Sequence, residues 1–247
     1  MYTAFLCDDD VYVENSIEKI LNVINLNNPL SFLALNYYSF IDNPNIKKNT
    51  KFAPVKDVFF KRAYDILNYP SVGHFSGFIF NTKLVQQELN FLKKKYNSKL
   101  SEEFEKHRGI VTHLANLVLS KTDLPSFFVG SQILAAREPK TVDYDLLNHL
   151  NYDNIIYYKG LYDDNIINLK DYNYKKNLVL SSLPKAIMIE STKKNINEYV
   201  ILREKFDKIL GNELKYRFYI RPLFFISQLS TIKFLWKIFY KYYKSFR

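Results

Sequence analysis

Short apolar runs alternate along the chain with stretches whose apolar residues return every three or four positions, which predicts strands interleaved with helices. Tyr2 to Cys7 reads as a short buried strand, stopped by Asp8-Asp9-Asp10. Asn15 to Asn25 carries Ile17, Ile20, Leu21 and Ile24 at helical spacing, and Asn28-Pro29 breaks that helix. Ser31 to Tyr38 reads as a second strand, Asp42 to Lys51 as a polar loop, and Phe59 to Leu67 as a short helix. Gly73 to Phe80 predicts a strand entered through a glycine-bearing turn. Lys83 to Tyr96 follows as a helix, Ser101 opens another, and His113 to Leu119 continues helically. Phe127 to Ala136 returns as a strand. Strands and helices in alternation make the expected class α/β.

From Pro139 to Pro184 the pattern loosens into Tyr-, Asn- and Asp-rich segments, and Lys193 to Leu210 restores an amphipathic helix ended at Gly211. The expected organisation is an α/β domain over 1–145, an irregular Tyr/Asn-rich extension over 146–192, and a basic, amphipathic, helical tail over 193–247. No internal repeat is visible.

Composition narrows the class. With 247 residues, 47% of them hydrophobic, the chain can bury a sizeable core, and 6 Gly and 8 Pro exclude a collagen-like or linker sequence. A single cysteine, Cys7, excludes an internal disulfide and a CxxC zinc site and fits a reducing compartment. The four histidines form no HExxH motif.

Charge changes the picture more. The net charge of +10 is concentrated in the tail: Ile201 to Arg247 holds 11 Lys and Arg against 3 Asp and Glu, so the rest is nearly neutral. That argues against a nucleic-acid groove over the body, and nucleic acid is not an expected partner. Lys233, Lys237, Lys241 and Lys244 form one helical stripe, opposed by Leu235, Ile238, Phe239, Tyr242 and Phe246, with Trp236, Tyr240 and Tyr243 between. Such a helix can lie in a membrane interface, its lysines drawn to anionic lipid. The alternative is a terminal helix packing its aromatic face on the body. No stretch reaches the roughly 18 uncharged apolar residues of a spanning helix, and Met1 to Cys7 lacks the basic region of a targeting segment. The expected location is cytoplasmic, peripheral to the inner face of the plasma membrane.

The sharpest local feature is Phe5-Leu6-Cys7-Asp8-Asp9-Asp10. On an extended strand end Asp8 and Asp10 share a face and Asp9 opposes them. Two such carboxylates can hold a hard divalent cation, Mg²⁺ or Mn²⁺, whose remaining positions are filled by water and phosphate oxygens. The alternative is an acidic turn that caps the following helix.

The order of an apolar strand, an Asp run, a helix and a further apolar strand resembles the DXD region of glycosyltransferase family 2, in particular its abequosyltransferase-like branch. The residues that carry the likeness are Tyr2-Thr-Ala-Phe-Leu-Cys-Asp-Asp-Asp, the helix at Ile17 to Ile24, and Leu33-Ala-Leu-Asn-Tyr. Gly77-Phe-Ile-Phe-Asn-Thr-Lys-Leu-Val looks like the family's later strand, which leads into a helix near the acceptor site.

The resemblance covers roughly residues 1 to 145 and implies a partial GT-A-type, Rossmann-like mixed sheet flanked by helices. It implies transfer of a sugar from a nucleotide-sugar donor to a saccharide or lipid-linked acceptor in bacterial surface polysaccharide synthesis, assisted by Mg²⁺ or Mn²⁺. Asp8 and Asp9 would contact the nucleotide sugar, and Asp8 and Asp10 the metal.

A carboxylate base would come later, in an acidic pair on a helix; the window holds Glu102, Glu103, Glu105, His107 and His113, with Glu103 and His113 as the candidates for catalysis. None shows the family's Glu-Asp-aromatic pattern. A solvated first turn is the alternative for Glu103, and a core-edge helix residue for His113. His74 would line the acceptor cleft, or merely sit in a turn, and Arg137 would bind phosphate, or merely join a surface ion pair. The resemblance also implies βαβ units ahead of the Asp run; with Asp8 at the eighth position, the expectation is a chain lacking its nucleotide-binding half.

Overall fold

A computed structural model describes residues 1–47, 56–69, 72, 74–96, 110–138, 145–229, 232 and 234–235. The chain is mixed α/β and divides into two compact units, Met1–Val142 and Asp143–Arg247.

The first unit is built on a mixed sheet. Its strands are β1 (Tyr2–Ala4), β2 (Val11–Tyr12), β3 (Phe32–Phe40), β4 (Val58–Phe60), β5 (Phe78–Asn81) and β6 (Ser126–Arg137). The order is β1-β5-β3-β6-β2, with β4 also on β6. β3 and β6 run parallel, while β5 is antiparallel to both β1 and β3, and β2 is antiparallel to β6. Leu33, Leu35, Val129 and Ile133 point from the central pair into a core shared with Ile20, Val23 and Ile24 of α1 (Ser16–Asn27). Further helices are α2 (Thr82–Tyr96), which continues directly from β5, and α3 (Ile110–Lys121), which packs on α2 and leads into β6.

The register between β3 and β6 shifts around Asn36, which donates through Nδ2 to the Gly130 carbonyl at 2.6 Å. Gly130 is required there: a Cβ would lie 2.3 Å from the Lys56 carbonyl carbon.

The strand expected over Tyr2 to Cys7 is shorter and less buried. β1 ends at Ala4 because it is an edge strand with one neighbour, β5, and the chain then leaves the sheet. β1 and β2 stand at opposite ends of the strand order, about 19 Å apart at four strand spacings. The seven residues from Ala4 to Val11 reach at most about 24 Å. Phe5 to Asp10 therefore runs from one edge strand to the other with little slack, bonding Phe78 and Ser76 at the start of β5 and Arg137 at the end of β6 on the way.

The second unit is helical in its described residues. α4 (Asp153–Asp163), α5 (Leu169–Ser191), α6 (Ile196–Leu210) and α7 (Arg221–Ile226) are joined by wider turns at Asn148–Tyr152 and Tyr216–Ile220. Leu147, Ile155, Leu183, Ile187, Leu202, Phe206, Tyr216 and Phe224 form its core. The extension expected to be irregular over 146–192 is thus a correction: it is largely helix. Val179, Leu180, Leu183, Ala186 and Ile187 recur at helical spacing, and Asn168 accepts the Asp171 N–H to start α5. Among the described residues, no helix is long and apolar enough to cross a membrane.

Candidate functional site

The Asp run does not stay extended. Asp8 and Asp9 form a turn closed by the Asp10 N–H to the Cys7 carbonyl, and both side chains are exposed. Asp10 turns the other way. β2 fastens the chain beside the end of β6, with Val11 opposite Ala135, and this carries the Asp10 carboxylate inward. Asp8 and Asp10 therefore do not share an open face, which corrects the expectation from strand periodicity; the turn between them removes the premise.

Asp10 is held from three sides. His74 Nε2 lies 2.6 Å from Oδ2, Ser76 Oγ donates to the same oxygen at 2.5 Å, and the Arg137 N–H donates to Oδ1 at 3.0 Å. Ser76 is itself fixed, accepting the Cys7 N–H at 2.9 Å, while its carbonyl accepts the Tyr12 hydroxyl at 3.2 Å. The Asp10 side chain is 1% exposed and that of His74 27%. In the tautomer that donates from Nε2 to the carboxylate, a neutral imidazole keeps a lone pair on Nδ1. Nδ1 makes no hydrogen bond among the described residues.

The His74 ring packs on Tyr37, 4.9 Å between centroids and tilted by 33°. Burial, and then the Glu138 charge, raise the Tyr37 phenol above its ordinary pKa, and burial raises Tyr12, so both remain hydroxyl donors. The cluster sits where β3 and β6 end at Phe40 and Arg137. Crevices outside the carboxyl ends of strands are the usual ligand sites of open α/β sheets.

Other expected site residues fall differently. The Arg137 side chain is exposed, its Nε donating to the Ile41 carbonyl at 3.2 Å; its terminal nitrogens make no hydrogen bond among the described residues. His113 is buried at 3% exposure on α3 among Leu114, Leu117 and Val118, without the open surface an acceptor would need. Glu103, with Glu102, Glu105 and His107, lies outside the described residues, as do Lys233, Lys237, Lys241 and Lys244.

The helix-capping alternative for the Asp run also fails. α1 starts from Asn15, in the left-handed region at φ 62° and without a side-chain cap, and Asp10 is engaged elsewhere. Ser76, which ties Asp10 to Cys7, had no distinguishing sequence signal beyond standing two residues from His74.

The residues were tested against a divalent ion by their donor sets. Asp10 Oδ2 already has two partners and Oδ1 one, and the turn keeps the Asp8 carboxylate off the face that Asp10 uses. Asp8 and Asp9 remain as exposed carboxylates on a turn. Among the described residues, no group of three His, Cys, Asp or Glu side chains could hold a metal ion. Asp8 and Asp10 do not fit a shared resident Mg²⁺ or Mn²⁺.

No protein-family model matches the chain, and no curated protein matches it.

Proposed function

We propose that the chain is a transferase of glycosyl groups, taking a sugar from a nucleotide-sugar donor to a hydroxyl of a saccharide or lipid-linked acceptor, with a GT-A-like arrangement of its first unit. The observation that carries this reading is the buried Asp10 carboxylate held by His74, Ser76 and the Arg137 amide at the carboxyl ends of two parallel strands. A capping aspartate has no use for such a setting. The reading is supported by the order of β1, Asp run, α1 and β3, into which β2 is inserted after the Asp run, and by the passage of β5 straight into α2.

In this reading Asp10 orients the imidazole and stabilises it when charged, and His74 Nδ1 takes the proton of the acceptor hydroxyl as it attacks the anomeric carbon. The donor's C–O bond to the diphosphate breaks, and the leaving group departs as the nucleotide. Arg137, exposed beside the cluster, offers cationic donors to that diphosphate. Asp8 and Asp9 accept hydrogen bonds from sugar hydroxyls.

The test is release of nucleoside diphosphate by the full chain from a panel of nucleotide sugars, with simple glycosides as acceptors. His74→Asn should lower turnover by about 10² to 10⁴ while leaving the fold intact by circular dichroism. Absence of both donor binding and nucleotide release in the unaltered chain overturns the reading.

A further inference from the structure

Helical residues that pack on a core on one side ordinarily present polar groups on the other. The stretch from Tyr216 to Leu229 does not. Tyr216, Ile220, Phe224 and Ser227, spaced four, four and three apart, form its buried face. The opposite face carries Phe218, Tyr219, Phe225 and Leu229, each more than half exposed, with Ile226 beside them. Contiguous exposed apolar groups of this kind mark interaction sites.

Charge names the occupant. From Lys215 to Leu229 the sequence holds Lys215, Arg217 and Arg221 and no Asp or Glu. On the helix itself Arg221 is held by Asp207, with Nε 3.0 Å from Oδ1, and Arg203 of α6, 3.8 Å from the same carboxylate, lies 4.8 Å over the Phe225 ring. Arg217 is exposed on the flank of the apolar face. An apolar, aromatic face bordered by cations, in a stretch without a single acid, matches a surface with negative headgroups above hydrocarbon. A protein groove would require only the apolar part.

We infer that the outward face of Tyr216 to Leu229 docks the chain on an anionic membrane surface, with Phe218, Phe225 and Leu229 entering the headgroup boundary and Arg217 at headgroup level. The inference stands whether or not the first unit is a transferase. It also differs from docking by the lysine stripe further on, since it rests on a separate set of side chains.

The experiment is co-sedimentation of the full chain with vesicles of phosphatidylcholine alone and of phosphatidylcholine with phosphatidylglycerol. Binding should be at least about tenfold stronger to the anionic vesicles and weaken at high salt. Phe218→Ser, Phe225→Ser and Leu229→Ser together should reduce it by about tenfold or more, with helix content unchanged. Arg217→Glu, which leaves the apolar face whole, should lower binding to the anionic vesicles. Equal binding to neutral vesicles, or an unchanged partition of the triple variant, overturns the inference. So does a dimer in sedimentation velocity that the triple variant converts to monomer, because a second copy would then cover the face.

Discussion

The two units differ in one respect, a cluster of polar side chains that bond each other rather than the backbone. In the helical unit many polar side chains, buried or exposed, close gaps in the backbone. Asn195 and Glu198 form a reciprocal capping box at the start of α6. Glu190 accepts the Leu146 N–H, Asp145 accepts the N–H groups of Leu147 and Asn148, and Tyr199 bonds both the Ile187 carbonyl and Ser227. In the sheet unit, Asp10, His74 and Ser76 bond chiefly one another, and only the Arg137 and Cys7 amides gain a partner from them. Burying a carboxylate costs several kcal/mol unless donors surround it. A turn placed at a sheet edge does not require that expense. The difference is what directs a catalytic reading to the first unit, while the second is distinguished by its exposed apolar face.

The largest effect expected on the comparison comes from Gly130→Ala. The new methyl would meet the Lys56 backbone at 2.3 to 2.5 Å, and backbone yields less readily than a side-chain tip. The substitution should cost at least about 3 kcal/mol. Hydrogen exchange should show protection falling in β3 and β6 while α5 and α6 keep theirs. Equal loss in the helices would mean that the two units unfold as one.

What the sequence disclosed follows the range of the interactions involved. α1, β3, β6 and α6 were legible because their apolar periods are local, and their observed limits lie close to those expected, whereas the strand expected over Gly73 to Phe80 begins only at Phe78, after a tight helical turn at Phe75–Gly77. The sequence singles out Asp10 for a metal, His74 for an acceptor cleft and Arg137 for phosphate, and the structure brings the Asp10 carboxylate to the His74 ring and the Arg137 amide. Their meeting depends on β1 and β2 standing at opposite ends of the strand order, and on Phe5 to Asp10 crossing between them. Strand pairings between residues more than a hundred positions apart leave no local trace, so the turn at Asp8 and Asp9 was read as straight strand. In 146–192 the Tyr and Asn content obscured a helical period; Asn168, the cap of α5, was the signal available there.

A smaller effect separates the units by pH. Lys175 on α5 is buried, and loss of hydration pulls its pKa down to about 8, against the opposing charge of Asp171; the rings of Tyr158 and Tyr174 lie 5.4 and 5.9 Å from its Nζ. The unfolded chain, with an ordinary lysine near 10.5, binds more protons between these two values. The penalty is therefore complete below pH 8 and fades as pH rises toward 10. Above that, Tyr199 and Tyr216, whose phenols burial pushes far up, hold protons that the unfolded chain releases, so stability falls again. Urea titrations of the helical unit should show stability rising from pH 8 to 10. Lys175→Met should remove that rise and stabilise the chain at pH 7 by up to about 3 kcal/mol. A flat profile in the unaltered chain would show that Lys175 reaches water.

The finest test sets two asparagines against each other, one at a helix start in each unit. Asn195 accepts the Glu198 N–H at 2.9 Å while the Glu198 side chain accepts the Asn195 N–H at 3.3 Å, so each supplies an acceptor for an N–H that α6 would otherwise leave unpaired. Asn195→Ala removes the side-chain half and should cost about 1 kcal/mol. Asn15 precedes α1 with φ 62° and no side-chain cap, and only its carbonyl serves the helix, accepting the Lys19 N–H at 3.1 Å. Asn15→Gly keeps that bond and relieves the left-handed backbone, so the change should stay within about 0.5 kcal/mol in either direction. Denaturation midpoints of the two variants measure the contrast. A loss at Asn15 equal to that at Asn195 would mean that its side chain holds the turn after β2.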